Sequence, residues 1–310
     1  MIKKWVLKAI VQKTISFLPQ SQRINYFFQK YVTKGVLLSD AYFQDRLEHA
    51  RHHIDAWEHH SNGAPLHRTL ELGAGWYPVV PIAFFLYGAD EIRTVDVTLL
   101  TNAEHIRTTI RKFLEYADQG KLDTSSLHCR PDRLAQLRAL AADAPALGFE
   151  ELTKALHIQY IVQDARRLQL PDGAIDLAHS NNTFEHIYPE ILLGILREFR
   201  RIVRPGGVQS HFIDLSDHFA HFDTTISIYH FLRFSPAVWK WIDNSVQPLN
   251  RLRITDYRRL YQEAGLPITT ENLRPGDLEA LRQVPVHPYF QNNTEAENAV
   301  SHGYFFSKMG

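Results

Sequence analysis

A glycine pair flanked by two acids carries the most chemical information in this sequence. In Leu70-Glu71-Leu72-Gly73-Ala74-Gly75-Trp76-Tyr77-Pro78 the glycines follow a short apolar run that reads as a strand. Glycine at 73 and 75 permits a tight turn and lets the backbone approach a ligand closely. Asp96 closes the next strand, twenty-one residues after Gly75, where a carboxylate can accept hydrogen bonds from two ribose hydroxyls. A diphosphate-binding loop needs a third glycine where this chain has Pro78, which offers no N–H. Glu71 adds a negative charge that repels a diphosphate and attracts a cationic amine. The pattern therefore disfavours NAD and favours S-adenosylmethionine.

Two further groups of residues could do chemistry. His186, in Phe184-Glu185-His186, follows a later strand and is the first candidate for a general base, with a histidine packed at a helix start as the plain alternative. The stretch from His211 to His221 holds His211, His218, His221, Asp214 and Asp217. Strand alternation puts His211 and Ile213 on one face and Phe212 and Asp214 on the other, which separates potential ligands. No recognised metal spacing appears there, so no metal is expected. Asp214, Asp217 and His218 remain candidates for substrate contact or for a base.

These residues need an α/β scaffold. From His67 onward short apolar runs alternate with helical patterns, which predicts βα units and a parallel sheet. Strands are expected at Thr69–Leu72, Ile92–Val97, Gln159–Gln163, Ile175–His179 and Gly207–Asp214, with a helix at Pro189–Val203. Arg204-Pro205-Gly206-Gly207 is expected to break that helix and turn the chain. Two late runs, Pro267–Leu273 and Gly303–Lys308, are expected to close the sheet as an antiparallel pair. Residues 1–66 read as a helical extension, with Phe43, Leu47, Ala50, Ile54 and Trp57 on one stripe. Residues 67–310 form the main domain, with a helical insertion at about 98–157 and an aromatic-rich one at about 216–254. The aromatics of the second insertion are expected in a core first and along a substrate pocket second.

Composition narrows the function classes. Thirty-four basic residues balance thirty-four acidic ones at a pI near 7.3, so no nucleic-acid footprint is visible. The single cysteine, Cys129, excludes an internal disulfide and any cysteine-cluster metal site. No apolar run is long enough to span a bilayer. The first twenty residues carry four lysines and no acid, but Lys8 and Lys13 interrupt the apolar stretch and scatter around the helix. A packed terminal helix is favoured there over a signal peptide or membrane contact, and a cytoplasmic location is the default.

At this point the sequence resembles the class I S-adenosylmethionine-dependent methyltransferases, over about residues 67–215 and the closing strands. Glu71-Leu72-Gly73-Ala74-Gly75 resembles their glycine-rich first motif and Asp96 their ribose-binding acid. Asp164-Ala165 resembles the adenine-contacting pair, Asp176 to Ile187 the fourth-strand motif, and Arg204-Pro205-Gly206-Gly207 the turn before strand five. The resemblance implies a Rossmann-like sheet, mostly parallel with an antiparallel closing strand. It implies a cofactor set of Glu71, Gly73, Ala74, Gly75, Trp76, Asp96, Val97, Asp164, Ala165, Ser180 and Asn181. Within it, Glu71 and Gly73 would hold the amino-acid end, Asp96 the ribose, Asp164 and Ala165 the adenine, and Ser180 and Asn181 the sulfonium side. Two plainer readings stand beside these: Asp164 caps a turn, and Asn181-Asn182 forms an Asx turn. The bulky Trp76-Tyr77-Pro78 departs from the small residue usual in the family, and implies a modified wall around the methionine portion.

The expected reaction is methyl transfer to oxygen or nitrogen of a small-molecule acceptor. Ser180-Asn181-Asn182-Thr183 stands where amino-group methyltransferases of bases and glutamine carry Asn/Asp-Pro-Pro-aromatic, which weighs against those substrates. Two rivals use the same fold: intramolecular displacement releasing methylthioadenosine, and a non-catalytic binding protein. A nicotinamide oxidoreductase is more distant.

Overall fold

Seven strands form one sheet in the computed structural model, which describes residues 3–17, 37–122 and 127–310. In chain order they are β1 Arg68–Leu72, β2 Glu91–Asp96, β3 Ile158–Val162, β4 Ile175–Asn181, β5 Val203–Asp214, β6 Thr270–Arg274 and β7 His302–Lys308. Their spatial order is β3-β2-β1-β4-β5-β7-β6. β1 pairs in parallel with both β2 and β4, and β2 with β3. β7 runs antiparallel to β5: Gly206 N–H reaches Met309 O at one end, and Leu215 N–H reaches Ser301 O at the other. This is the Rossmann-like sheet that the sequence implied.

The expected turn at Arg204-Pro205-Gly206-Gly207 lies inside β5. Met309 O accepts from Gly206 N–H while Met309 N–H donates to Gly207 O, so two residues of β5 oppose one of β7. Gly206 takes φ +73° to make this bulge, which bends the strand without ending it. The preceding helix runs Pro189–Ile202, so strand pairing takes over directly where the helix stops.

The chain gathers into two compact units. The β1–β4 unit comprises Leu38–Asn181, Ile195–His211 and Phe306–Gly310. Its core joins Phe43, Ala50, Ile54 and Trp57 of the helix Asp40–Ser61 to the nearly all-apolar helix Val79–Tyr87. Helices Ala103–Asp118, Pro131–Asp143 and Phe149–Ala155 occupy the long stretch between β2 and β3. They bury Ile106, Ile110, Phe113, Leu137 and Leu152 in the same core.

The 212–305 unit comprises Phe212–Phe305, Asn182–Gly194 and the described part of Met1–Leu37. Its core contains Phe219, Tyr229, Phe231 and Trp239, so most of the aromatic-rich stretch is packing, although Phe222 and Trp241 are exposed. The helix Lys4–Ser16 joins this core through Ala9, and Trp5 N–H is held by Asp223 Oδ2 at 3.0 Å. It is a packed helix, as expected; the helical reading of 18–36 lies outside the described residues. No described helix is long and apolar enough to cross a membrane.

Candidate functional site

β1 ends at Leu72 and the backbone then reverses sense. Gly73 (φ +90°) donates its N–H to Val95 O at 2.9 Å, and Gly75 takes φ +58°. A Cβ on Gly75 would meet nothing within 4 Å, so glycine is needed there for the sign of φ and not for space. Asp96 fastens this loop to its neighbour: Oδ2 accepts Ala74 N–H at 3.1 Å and Oδ1 accepts Thr98 N–H at 3.2 Å. Burial raises the Asp96 pKa, while the N–H groups of Thr98, Ala74 and Val97 oppose that. Each oxygen keeps a further lone pair for a ligand hydroxyl.

The strand order places this loop at a switch point, because β1 is flanked by β2 on one side and by β4 on the other. Ligands of open α/β sheets bind beyond the carboxyl ends of strands at such a point. Apolar side chains stand exposed there without a core to fill: Val97 after β2 is 77% exposed and Val162 at the end of β3 is 57% exposed. Trp76 and Tyr77 both meet the His105 ring, with centroids 5.9 and 4.8 Å away. Ala165 is buried. Asp164 turns its carboxylate on Arg166, accepting from the backbone N–H at 2.9 Å and from Nε at 3.0 Å, and these bonds hold its pKa down to about 2.

Glu71 is the second acid of the loop, and it is buried. Burial pushes its carboxyl up to about 8, opposed by the nearby Arg46 charge and by a hydrogen bond from the Asn181 side chain. Behind Asn181 lies His53, a residue that sequence reasoning did not single out. His53 Nε2 is 2.9 Å from Asn181 Oδ1, and Nδ1 is 2.6 Å from Ser210 Oγ. Burial depresses its pKa to about 3, so the ring is neutral. An amide oxygen only accepts, so Nε2 carries the proton and the Ser210 hydroxyl donates to Nδ1. The result is a directed chain from Ser210 through His53 to Asn181, whose side chain interacts electrostatically with Glu71.

Ser180 stands differently from the expectation. It has no exposed surface, and its hydroxyl lies 2.8 Å from His211 Nδ1, so only its backbone could meet a ligand. His211, whose ring stacks on Phe199, is thus a core histidine of the β1–β4 unit.

The catalytic candidates all lie in the 212–305 unit. Asp214 Oδ2 is 3.3 Å from His218 Nε2, and Oδ1 accepts Ser216 N–H at 2.9 Å. Burial disfavours the Asp214 charge, but His218 and Ser216 together hold its pKa well below the usual carboxylate range. Asp217 is fully buried, accepts Phe219 N–H and lies 3.3 Å from His230 Nδ1, which is a structural arrangement. His186 donates Nδ1–H to Pro248 O at 2.6 Å, and its ring centroid is 4.9 Å from that of His218. Burial, and then His218, push His186 down to about 4. It is therefore a weaker base at neutral pH than its residue type suggested. Beside it, Glu185 is 2% exposed.

Residues 113–210 match the model of a methyltransferase domain, from within the helix Ala103–Asp118 through most of β5. Over those residues the chain is similar to methyltransferase domains. The glycine loop and Asp96 lie N-terminal to the matched segment, next to strands that pair directly with those inside it. Solved structures similar to the chain include a geranyl diphosphate C-methyltransferase from Streptomyces coelicolor A3(2), at 12% identity and TM-score 0.46, covering 88% of this chain and 85% of that one. A putative sarcosine dimethylglycine methyltransferase from Galdieria sulphuraria is similar at 14% identity and TM-score 0.47, covering 84% and 85%. No curated protein sequence matches.

Proposed function

We propose that the protein is an S-adenosylmethionine-dependent methyltransferase acting on an oxygen or nitrogen atom of a small-molecule acceptor. The observation that carries the cofactor half of this reading is the pairing of two acids about one glycine loop, buried Glu71 before it and half-buried Asp96 tied to Ala74 within it. Glu71 supplies an anion for the cofactor's ammonium group, and Asp96 supplies acceptors for the ribose. Val97 and Val162 offer apolar contact to the adenine, in place of an Asp164 already engaged by Arg166. Bound S-adenosylmethionine supplies an electrophilic methyl group on a good leaving group, so alignment of the acceptor can provide much of the rate.

On the acceptor side, His186, Asp214, Asp217 and His218 are the candidates. Asp214, held ionised beside His218, is suited to hold a cationic group or to support a proton on that imidazole. Balanced charge and the absence of the Pro-Pro tetrad support a small acceptor over a nucleic acid. Calorimetric titration with S-adenosylmethionine and its demethylated product, followed by mass spectrometry of the incubated cofactor, tests the reading. Binding of both, with slow demethylation, supports it. Methylthioadenosine formed without an acceptor would replace it with the intramolecular displacement, and absence of binding would overturn the cofactor assignment.

A further inference from the structure

Glu185, His186 and His218 each bring one potential metal-ligating atom into a group lying within 4.8 Å of one another. Glu185 and His186 share one turn, and His218 comes from more than thirty residues later in the chain. The turn Phe184–His186 is pinned by Asn250, whose side-chain amide donates to Phe184 O and Ile187 O at 2.8 Å each. Asn250 N–H also donates to Glu185 O at 2.9 Å. The His186 ring is oriented by its Nδ1–H bond to Pro248 O, which leaves the Nε2 lone pair as its ligating atom. A backbone carbonyl holding the far nitrogen of a histidine is the usual support behind a metal ligand. Asp214, 3.3 Å from His218, adds a second carboxylate next to the set.

We propose that Glu185, His186 and His218 bind a divalent first-row transition metal, zinc in the first instance. Two imidazoles and one carboxylate are the donor set of open zinc and iron sites, with positions left for water or a further oxygen ligand. Metal–ligand bonds of about 2.1 Å at a tetrahedral angle separate donors by about 3.4 Å. The group therefore draws together by roughly an ångström on binding, a movement within reach of side-chain rotation. A buried carboxylate between two imidazoles gains an adjacent positive charge in exchange for its lost hydration. On the methyl-transfer reading, the open position would take an acceptor hydroxyl or carboxylate oxygen; metal binding itself does not depend on that reading.

The test is a titration of the full-length, metal-stripped protein with Co2+, read by visible absorption, and with Zn2+, read by competition against a chromogenic chelator, both without S-adenosylmethionine. One equivalent bound, with cobalt bands of a nitrogen–oxygen site, is expected. His218→Gln and His186→Gln should each weaken binding at least tenfold, while the exposed His59→Gln leaves it unchanged. Circular dichroism checks that each variant folds; should His186→Gln unfold, the partly exposed His218→Gln decides alone. No stoichiometric binding by the wild-type protein, or binding undiminished in a folded His218→Gln, overturns the site. Failure of cofactor binding would bear on the methyltransferase reading and not on this one.

Discussion

His53 Nε2 and Asn181 Oδ1 are joined across 2.9 Å, linking the middle of the helix Asp40–Ser61 to the last residue of β4. Because the Asn181 side chain also stabilises the charged form of Glu71, the helix reaches the candidate ammonium-binding acid through a single amide. His53→Phe keeps the ring volume but leaves Asn181 Oδ1 without its donor. Cofactor affinity should fall about tenfold, or ~1.4 kcal/mol, in a protein that still folds. Calorimetry on the variant checks this, and Asn181→Asp, which cannot donate the amide N–H to Glu71, should be worse.

Glu71 makes a pH prediction with a definite sign. Its folded pKa of about 8 lies above the ordinary value of 4.5, so the folded state keeps a proton that the unfolded chain releases. The stability this contributes is complete below about pH 4.5, declines as pH rises, and is exhausted above about 8. Cofactor affinity should run the other way, rising from pH 6 to 9 as Glu71 ionises to meet the ammonium group. Glu71→Gln should flatten both slopes in denaturant melts and titrations across that range.

Asp96 is tied to the loop through Ala74 N–H and is the residue proposed to hold the ribose. Asp96→Ala should weaken S-adenosylmethionine binding by about 1–3 kcal/mol, the range for losing hydrogen bonds to a charged group. Asp96→Asn keeps an acceptor for Ala74 N–H and should recover part of the loss. Unchanged affinity in a folded Asp96→Ala protein would remove the ribose assignment.

Two glycines should respond differently to a methyl group. Gly75→Ala meets open space and costs only the left-handed backbone, about 1–2 kcal/mol of stability. In Gly207→Ala the new Cβ would lie 2.8 Å from both Arg204 O and Asp176 O, so the β5 backbone must shift. That variant should lose more, with the overpacking penalty of about 1–3 kcal/mol as a floor, measurable by urea unfolding.

The elements were largely readable in the sequence because each is a local matter. Alternating apolar residues placed β1 to β4 to within a few residues, and the stripe from Phe43 to Trp57 gave the helix that buries it. The bulge at Gly206 was not readable, since Pro-Gly-Gly looks like a turn until Met309 arrives from a hundred residues away to pair with it. The glycine loop, Glu71 and Asp96 were legible for a related reason: a backbone of positive φ next to a strand end restricts residue type wherever it occurs.

What the sequence alone determined, then, was the sheet, its glycine loop and the acids beside it. The tertiary structure decided which polar side chains work as groups. His211, adjacent in sequence to the Asp214–His218 cluster, is turned to Ser180, whereas His218 meets Glu185 and His186 from more than thirty residues upstream. Asp164 was given to Arg166, and His53 was drawn into the chain behind Glu71. Side-chain partners lie at hydrogen-bond range in space, and chain spacing sets that range only within a turn or a strand. Beyond it, burial selects the pairings, because an isolated buried donor or charge is costly and a paired one is not.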